Sequence, residues 1–135
     1  MLGGDIDQAG WPDCGEIDVM ENFGTSPDVV HGTVHGPGYS HANGITASFD
    51  TGSPLADDFH LYSVCWEPER IRWYADHTLY HTVTRADLRG NPWVFDHDFY
   101  LLINVAVGGR FSERPSQSTH FPQAMLVDHI RVYSA

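Results

Sequence analysis

The pattern of hydrophobic and polar positions along the chain predicts short β-strands separated by tight turns. Apolar residues alternate with polar ones in short runs, and Gly, Pro, Asn and Asp cluster between the runs. The predicted strands cover residues 16–22, 29–35, 44–49, 59–66, 70–75, 79–83, 98–107 and 125–133. Only 85–90 has the pattern of a helical turn. Evenly spaced strands with hairpin-type connections indicate an antiparallel β-sandwich or barrel.

Composition narrows the classes of function. The chain has 135 residues, enough for one domain, and 41% of them are hydrophobic, enough for a packed core. Its net charge of −11 makes nucleic acid and anionic membranes poor partners, so we expect neither. No apolar run approaches the roughly 20 residues of a membrane span, and no signal peptide begins the chain. The 13% of aromatic residues favours a neutral polar ligand such as a sugar. Cys14 and Cys65 allow at most one disulfide, and two thiols are equally compatible with their spacing.

The first predicted strand carries a cluster of acids, Glu16, Asp18 and Glu21. Regular alternation puts Glu16 and Asp18 on one face and Glu21 on the other, among apolar residues. A carboxylate on a buried face is costly without a partner. A β-bulge near Val19 and Met20 resolves the conflict, because one extra residue returns Glu21 to the face of the other two acids.

The bulged geometry predicts a chemistry. Glu16 and Glu21 then lie about 13 Å apart at their Cα atoms. If both side chains lean inward, their carboxyl groups approach to about 5–6 Å, close to the ~5–5.5 Å of a retaining glycosidase. Asp18 lies between them, and crowded carboxylates push one another's pKa values apart. The alternatives are a solvated acidic face and a Ca²⁺ site.

Further motifs follow this strand in a fixed order. Gly15–Glu21 is followed by motifs at 31–40, 66–68, 73–74, 79–83, 104–109 and 125–133. Together these motifs resemble glycoside hydrolase family 16, and within it the bacterial laminarinases, which are endo-1,3-β-glucanases. The resemblance implies an all-β jelly-roll sandwich of the concanavalin A-like type, whose concave sheet forms the glucan cleft.

The resemblance also implies roles for individual residues. Glu16 would be the nucleophile, Glu21 the general acid/base, and Asp18 the residue that orients Glu16 and modulates its charge. The implied reaction is endo-acting hydrolysis of β-1,3-glucosidic bonds in laminarin-type glucans with retention of configuration, which requires no cofactor. Trp11 would stack on a glucose ring, and His35 would lie near Glu21.

Other residues implied by the resemblance lie later in the chain. Asn104 would reach the cleft, although a buried sheet amide is an alternative. Phe111 stands where related enzymes tend to carry Trp, so it is a candidate substrate-binding residue. Asp128 resembles the ligand of a structural Ca²⁺.

A zinc site built on His31 and His35 is disfavoured because too few further ligands have suitable spacing.

The chief departure from the family is length. Residues 1–135 match a partial catalytic domain, apparently truncated at its N-terminus, so the chain alone can be inactive. The parent protein is expected to be secreted. One alternative is a non-catalytic β-glucan-binding fragment on the same fold. Another is a family 16 hydrolase acting on mixed-linkage glucan, agarose or carrageenan.

Overall fold

The structure is a computed structural model that describes residues 1–109 and 114–134. Two units are present, residues 1–102 and residues 103–135. The strands of the first unit are β1 (Leu2–Gly3), β2 (Glu16–Phe23), β3 (Ser26–His35), β4 (Ile45–Asp50), β5 (Tyr62–Glu67), β6 (Arg70–Ala75), β7 (Thr78–Thr84) and β8 (Phe99–Tyr100). A short helix α1 spans Ile6–Ala9, and 3-10 turns span His41–Asn43, Leu55–Asp57 and Arg85–Leu88.

The first unit contains two antiparallel sheets. One has five strands in the order β4-β3-β2-β1-β8, and the other has three in the order β5-β6-β7. Neighbouring strands pair antiparallel throughout, often as hairpins between consecutive strands. The predicted all-β, antiparallel architecture is therefore confirmed, and β6 has the predicted bounds.

The core of the first unit joins the two sheets. Ile17 and Val34 come from the larger sheet, and Ile71, Trp73 and Val83 come from the smaller one. All five are fully buried. Burying one such aliphatic or aromatic side chain stabilises a fold by about 1.5–3 kcal/mol. The opposite face of β2 and β3 is thereby left free for polar side chains.

Two strand predictions are wrong, one over most of its length and the other entirely. The segment 98–107 forms a strand only at Phe99–Tyr100, and 125–133 forms none. Alternation makes a strand possible, but the strand forms only where a neighbour supplies hydrogen bonds. Within residues 103–109 and 114–134, no strand or helix is present to supply them. Leu126, Val132 and Tyr133 are accordingly exposed.

Smaller differences from the sequence expectations concern individual side chains. Trp73 is fully buried, whereas Trp66 is 40% exposed. Trp66 lies near the end of β5, where its Nε1 donates to the carbonyl of Phe95 at 2.8 Å. Cys14 and Cys65 are both free thiols. Among the described residues, no helix has the length and apolar character needed to cross a membrane.

Candidate active site

A β-bulge in β2 places three carboxylates on one face of the larger sheet. Asp18 lies opposite Thr33, and Glu21 lies opposite His31, so three steps along β2 face two steps along β3. The extra residue lies between Asp18 and Glu21, where the sequence predicts the bulge. It shifts the phase of the alternation, so Glu21 shares the face of Glu16 and Asp18.

Trp73 supports the bulge from the core side. Its Nε1 donates to the backbone carbonyl of Asp18 at 2.9 Å. A bulge disrupts the ladder of backbone hydrogen bonds, so a carbonyl there is stabilised by a donor from elsewhere. Gly32 on β3 makes room for this contact, because a Cβ at that position would lie 2.5 Å from Cδ1 of Trp73.

Trp11 holds the carboxylate of Glu16. Its Nε1 donates to Oε2 of Glu16 at 2.7 Å. The indole stands edge-on against His41, with ring centroids 4.5 Å apart, and remains 36% exposed. Burial raises the pKa of Glu16, and the nearby Asp18 charge raises it further, whereas the Trp11 hydrogen bond lowers it. The predicted stacking of Trp11 on a sugar stays a prediction, and its bond to Glu16 is an addition that the sequence did not indicate.

Glu21 has a different partner, the hydroxyl of Thr33. Oγ1 of Thr33 donates to Oε2 of Glu21 at 3.3 Å and lies 3.0 Å from Oγ1 of Thr46 on β4. Burial and the Asp18 charge raise the pKa of Glu21, and the Thr33 hydrogen bond lowers it. Sequence reasoning missed Thr33. Its alternation with His31 and His35 on β3 is the signal that places it on the same face.

His35 completes the group by contacting Asp18. Its Nε2 lies 3.3 Å from Oδ2 of Asp18, and in the strand register it faces Glu16. Burial opposes charging of the imidazole, but the hydrogen bond and charge of Asp18, with the charges of Glu16 and Glu21, raise the pKa of His35 overall. The expected position of His35 near Glu21 stays a prediction, and the charges of the two groups act on each other's pKa values. Gly44 packs against the imidazole of His35, because a Cβ at position 44 would overlap with the ring.

Three of these residues have the spacing of metal ligands. One ligand atom each from Glu16, Asp18 and His35 lies within 4.8 Å of the others. The same groups already pair within the protein, Asp18 with His35 and Glu16 with Trp11. These three side chains therefore form a group that is hydrogen-bonded within the protein and has a spacing compatible with metal binding.

Three further predicted site residues come later in the chain. Asn104 and Asp128 belong to the second unit, where both are exposed. Oδ2 of Asp128 lies 3.1 Å from Nδ1 of His129. The role of Asp128 as a ligand of a structural Ca²⁺ stays a prediction. Phe111 lies outside the described residues.

Comparison with known proteins places this geometry in a family. The model of "Glycosyl hydrolases family 16" matches residues 5–121. A beta-glucanase of Rhodothermus marinus is 44% identical over 132 residues, covering 91% of this chain and 46% of that protein. Glucan endo-1,3-beta-glucosidase A1 of Niallia circulans is 39% identical over 143 residues, covering 98% of this chain and 21% of that protein.

Solved structures agree with the sequence relatives. The endo-beta-1,3-glucanase of Pyrococcus furiosus superposes with a TM-score of 0.86 at 47% identity, covering 90% of this chain and 48% of that one. The chain thus spans about half the length of that structure and less than half of both sequence relatives. Sequence, fold and carboxylate strand agree, and the chain belongs to glycosyl hydrolases family 16.

Proposed function

We propose that this chain carries the catalytic carboxylates of an endo-acting, retaining β-1,3-glucanase that hydrolyses laminarin-type glucans. The observation that carries the proposal is the bulged strand β2, which presents Glu16, Asp18 and Glu21 on one face. Two carboxylates flanking a glycosidic bond are the usual machinery of glycoside hydrolysis. The relatives named above, a beta-glucanase and two endo-1,3-β-glucanases, support the choice of polymer.

The hydrogen-bond partners support distinct roles for the two glutamates. A nucleophile must be ionised, and Glu16 accepts a 2.7 Å bond from the indole N–H of Trp11, a donor that cannot accept in return. A general acid must hold a proton, and among the described residues the side-chain bond to Glu21 is the longer 3.3 Å one from Thr33. Burial and the Asp18 charge raise the pKa of both glutamates, so the difference between them rests on these two hydrogen bonds, of which the shorter one favours the ionised form of Glu16.

The proposed reaction is a double displacement. Glu16 attacks the anomeric carbon while Glu21 gives its proton to the glycosidic oxygen, and the aglycone leaves. The resulting glycosyl ester on Glu16 is hydrolysed by water, whose proton goes to the now ionised Glu21. Two inversions at one carbon leave the configuration unchanged.

Asp18 serves both glutamates through its charge. Its carboxylate raises the pKa of Glu16 and that of Glu21, and it pairs with His35. The pairing holds the carboxylate at a fixed place between the two reacting groups. We propose that Asp18 thereby orients Glu16 and keeps a proton available on Glu21.

Glutamate-to-glutamine variants test these assignments. Glu16→Gln and Glu21→Gln should each lower the release of reducing sugar from laminarin at least about 100-fold, since each removes a reacting group. Glu69→Gln is the matched control, because Glu69 is exposed and pairs with Arg85. Proton NMR of the first sugar released should show the β-anomer. Full activity of Glu16→Gln would refute the nucleophile assignment, and an α-anomer would refute retention.

The same assay separates the competing functions. A parent chain that binds laminarin without hydrolysing it, with binding unaffected by Glu16→Gln, would favour the glucan-binding alternative. Faster hydrolysis of mixed-linkage glucan, agarose or carrageenan would change the substrate and keep the chemistry. We also propose that the reaction uses no cofactor and that the protein acts outside the cell, where polymeric glucans are found.

A further inference from the structure

We propose that the hydroxyls of Thr33 and Thr46 form a pair that positions Glu21 in both of its protonation states. The inference rests on the proposed function, in which Glu21 alternates between acid and base. Oγ1 of Thr33 lies between the two groups, 3.3 Å from Oε2 of Glu21 and 3.0 Å from Oγ1 of Thr46. Thr33 is only 3% exposed, so water has little access to replace its hydroxyl.

The direction of the hydrogen bonds follows from the number of protons. Each hydroxyl has one proton to donate and two lone pairs that accept. When Glu21 is ionised, Thr33 donates to the carboxylate and Thr46 donates to Thr33. When Glu21 is protonated on Oε1, that proton is available to the glycosidic oxygen and Oε2 still accepts from Thr33. When the proton lies on Oε2, the acid donates to Thr33 and Thr33 donates to Thr46. Both protonation states are therefore satisfied without movement of the backbone.

The other described groups that face Glu21 form no hydrogen bond with its carboxyl group. His31 is the cross-strand neighbour of Glu21, but its Nδ1 is bonded to Oγ of Ser48 at 2.7 Å. Asp18 and Glu16 on β2 raise the pKa of Glu21, and His35 lowers it, through charge alone.

Strand β4 adds no competing charge close to Thr46. The one titratable residue of β4 is Asp50, which lies at the end of the strand, four positions after Thr46. Among residues 1–109 and 114–134, Thr33 is the side chain that hydrogen-bonds Glu21. The link is long for an O–H···O bond, and such links commonly tighten when substrate is bound.

The chemical role of the pair follows from the alternation of Glu21. In the first step Glu21 must point its proton at the glycosidic oxygen, and in the second it must accept a proton from water. A partner that only donates would favour the ionised form, and one that only accepts would favour the protonated form. A hydroxyl backed by a second hydroxyl can hold the carboxyl in place through both steps. Thr33 and Thr46 are thus positioning residues that act through Glu21.

Four variants test the pair. Thr33→Val removes the hydroxyl and keeps the β-branched shape, Thr33→Ser restores the hydroxyl, and Thr46→Val removes the second link. Thr82→Val on β7 is the matched control, because Thr82 is exposed on the other sheet. For each variant we would measure kcat and KM on laminarin across pH, the thermal midpoint, and the carbon NMR titration of the Glu21 carboxyl.

The expected results differ between the variants. Because a hydrogen bond to a carboxylate is stronger than one to the neutral acid, Thr33→Val should raise the pKa of Glu21. The basic limb of the pH profile should move to higher pH by the same amount as the pKa of Glu21. The value of kcat should fall about 3- to 10-fold with KM nearly unchanged. Thr33→Ser should restore the parent values, Thr46→Val should give a smaller shift in the same direction, and Thr82→Val should give none.

Several outcomes would overturn the inference. One is a folded Thr33→Val variant with the titration and kcat of the parent. A Thr33→Ser variant that folds without restoring either value would reduce Thr33 to a packing role. A Thr46→Val variant identical to the parent would remove Thr46 from the pair. The NMR titration measures the pKa of Glu21 even if no glucan is hydrolysed. Failure of the proposed function can therefore be distinguished from failure of the inference about the two threonines.

Discussion

At the scale of single residues, each of the three carboxylates has its own partner. Trp11 donates to Glu16, His35 pairs with Asp18, and Thr33 donates to Glu21. An indole donates only, an imidazole can carry charge, and a hydroxyl can both donate and accept. Three acids of similar chemistry are thereby given different electrostatic surroundings on one strand.

Trp11→Phe tests the partner of Glu16. The phenyl ring keeps an aromatic surface but removes the N–H that lowers the pKa of Glu16. The pKa of Glu16 should therefore rise in the variant. Since the nucleophile works only when ionised, the acidic limb of the kcat/KM profile should move to higher pH. Activity below the limb should fall about 3- to 10-fold.

Trp66→Phe is the control for this change. Its indole N–H bonds the carbonyl of Phe95 on another part of the first unit, so the acidic limb should keep its position. An unchanged acidic limb in Trp11→Phe would show that the indole N–H does not tune Glu16. A rise in KM without any shift of the limb would assign Trp11 to sugar stacking alone.

The sequence predicts the acids of the site better than their partners. Alternation on β2 identifies Glu16, Asp18 and Glu21, and the cost of burying an acid locates the bulge. Alternation with His31 and His35 indicates the face of Thr33 but not its bond to Glu21, because threonine is common in strands for its shape alone. Its role depends on the cross-strand register, which sets Thr33 opposite Asp18 and is fixed only when β2 and β3 pair.

At the scale of elements, the bulge is fixed by the other sheet. Trp73 on β6 donates to the carbonyl of Asp18, so a core side chain of the smaller sheet stabilises the irregular point of the larger one. Gly32 allows the close approach of the indole. The geometry of the carboxylate face therefore depends on how the two sheets pack.

Trp73→Phe tests this dependence. The variant leaves the Asp18 carbonyl without its donor, which should lower the free energy of unfolding by about 1–3 kcal/mol in urea. Relaxation of the bulge should also misplace Glu21 and lower kcat on laminarin about 10-fold or more. Trp93→Phe is the matched control, because that buried indole donates to Asp96, away from the bulge.

Trp73→Phe and Trp93→Phe are expected to differ in kcat and not only in stability. Trp93→Phe should lose stability through the poorer packing of a smaller ring in the core, because its acceptor Asp96 is exposed, and it should keep the kcat of the parent. Equal losses of kcat in the two variants would mean that general destabilisation, and not the bulge, explains the effect of Trp73→Phe.

Elements were predicted where alternation and turn residues coincide. Strands β2 to β7 satisfy both conditions, so their existence follows from the pattern, although β3 begins earlier at Ser26. The helix α1 was missed because its four residues are too few to show a helical period. The predicted strands at 98–107 and 125–133 have the alternation, but alternation alone supplies no hydrogen-bonding neighbour.

At the scale of the whole molecule, the two units differ in how their backbone is hydrogen-bonded. Residues 1–102 contain all the described strands, arranged in two sheets over a buried core. Residues 103–109 and 114–134 contain no described strand or helix, and apolar side chains such as Val132, 83% exposed, face solvent. The chain spans about half the length of the glucanase structure that it matches.

Hydrogen exchange measures this difference directly. Amide protons bonded in strand ladders exchange only after opening, so those of β2, β3 and β6 should remain protected in deuterated buffer. Amides at 103–109 and 114–134 should exchange at nearly the rate of an unstructured peptide, because their N–H groups belong to no strand ladder. The laminarin-bound and free chains should be compared peptide by peptide. Protection of 125–133 would mean that its alternating pattern has found a pairing strand, and the sequence expectation for that segment would then be right in solution.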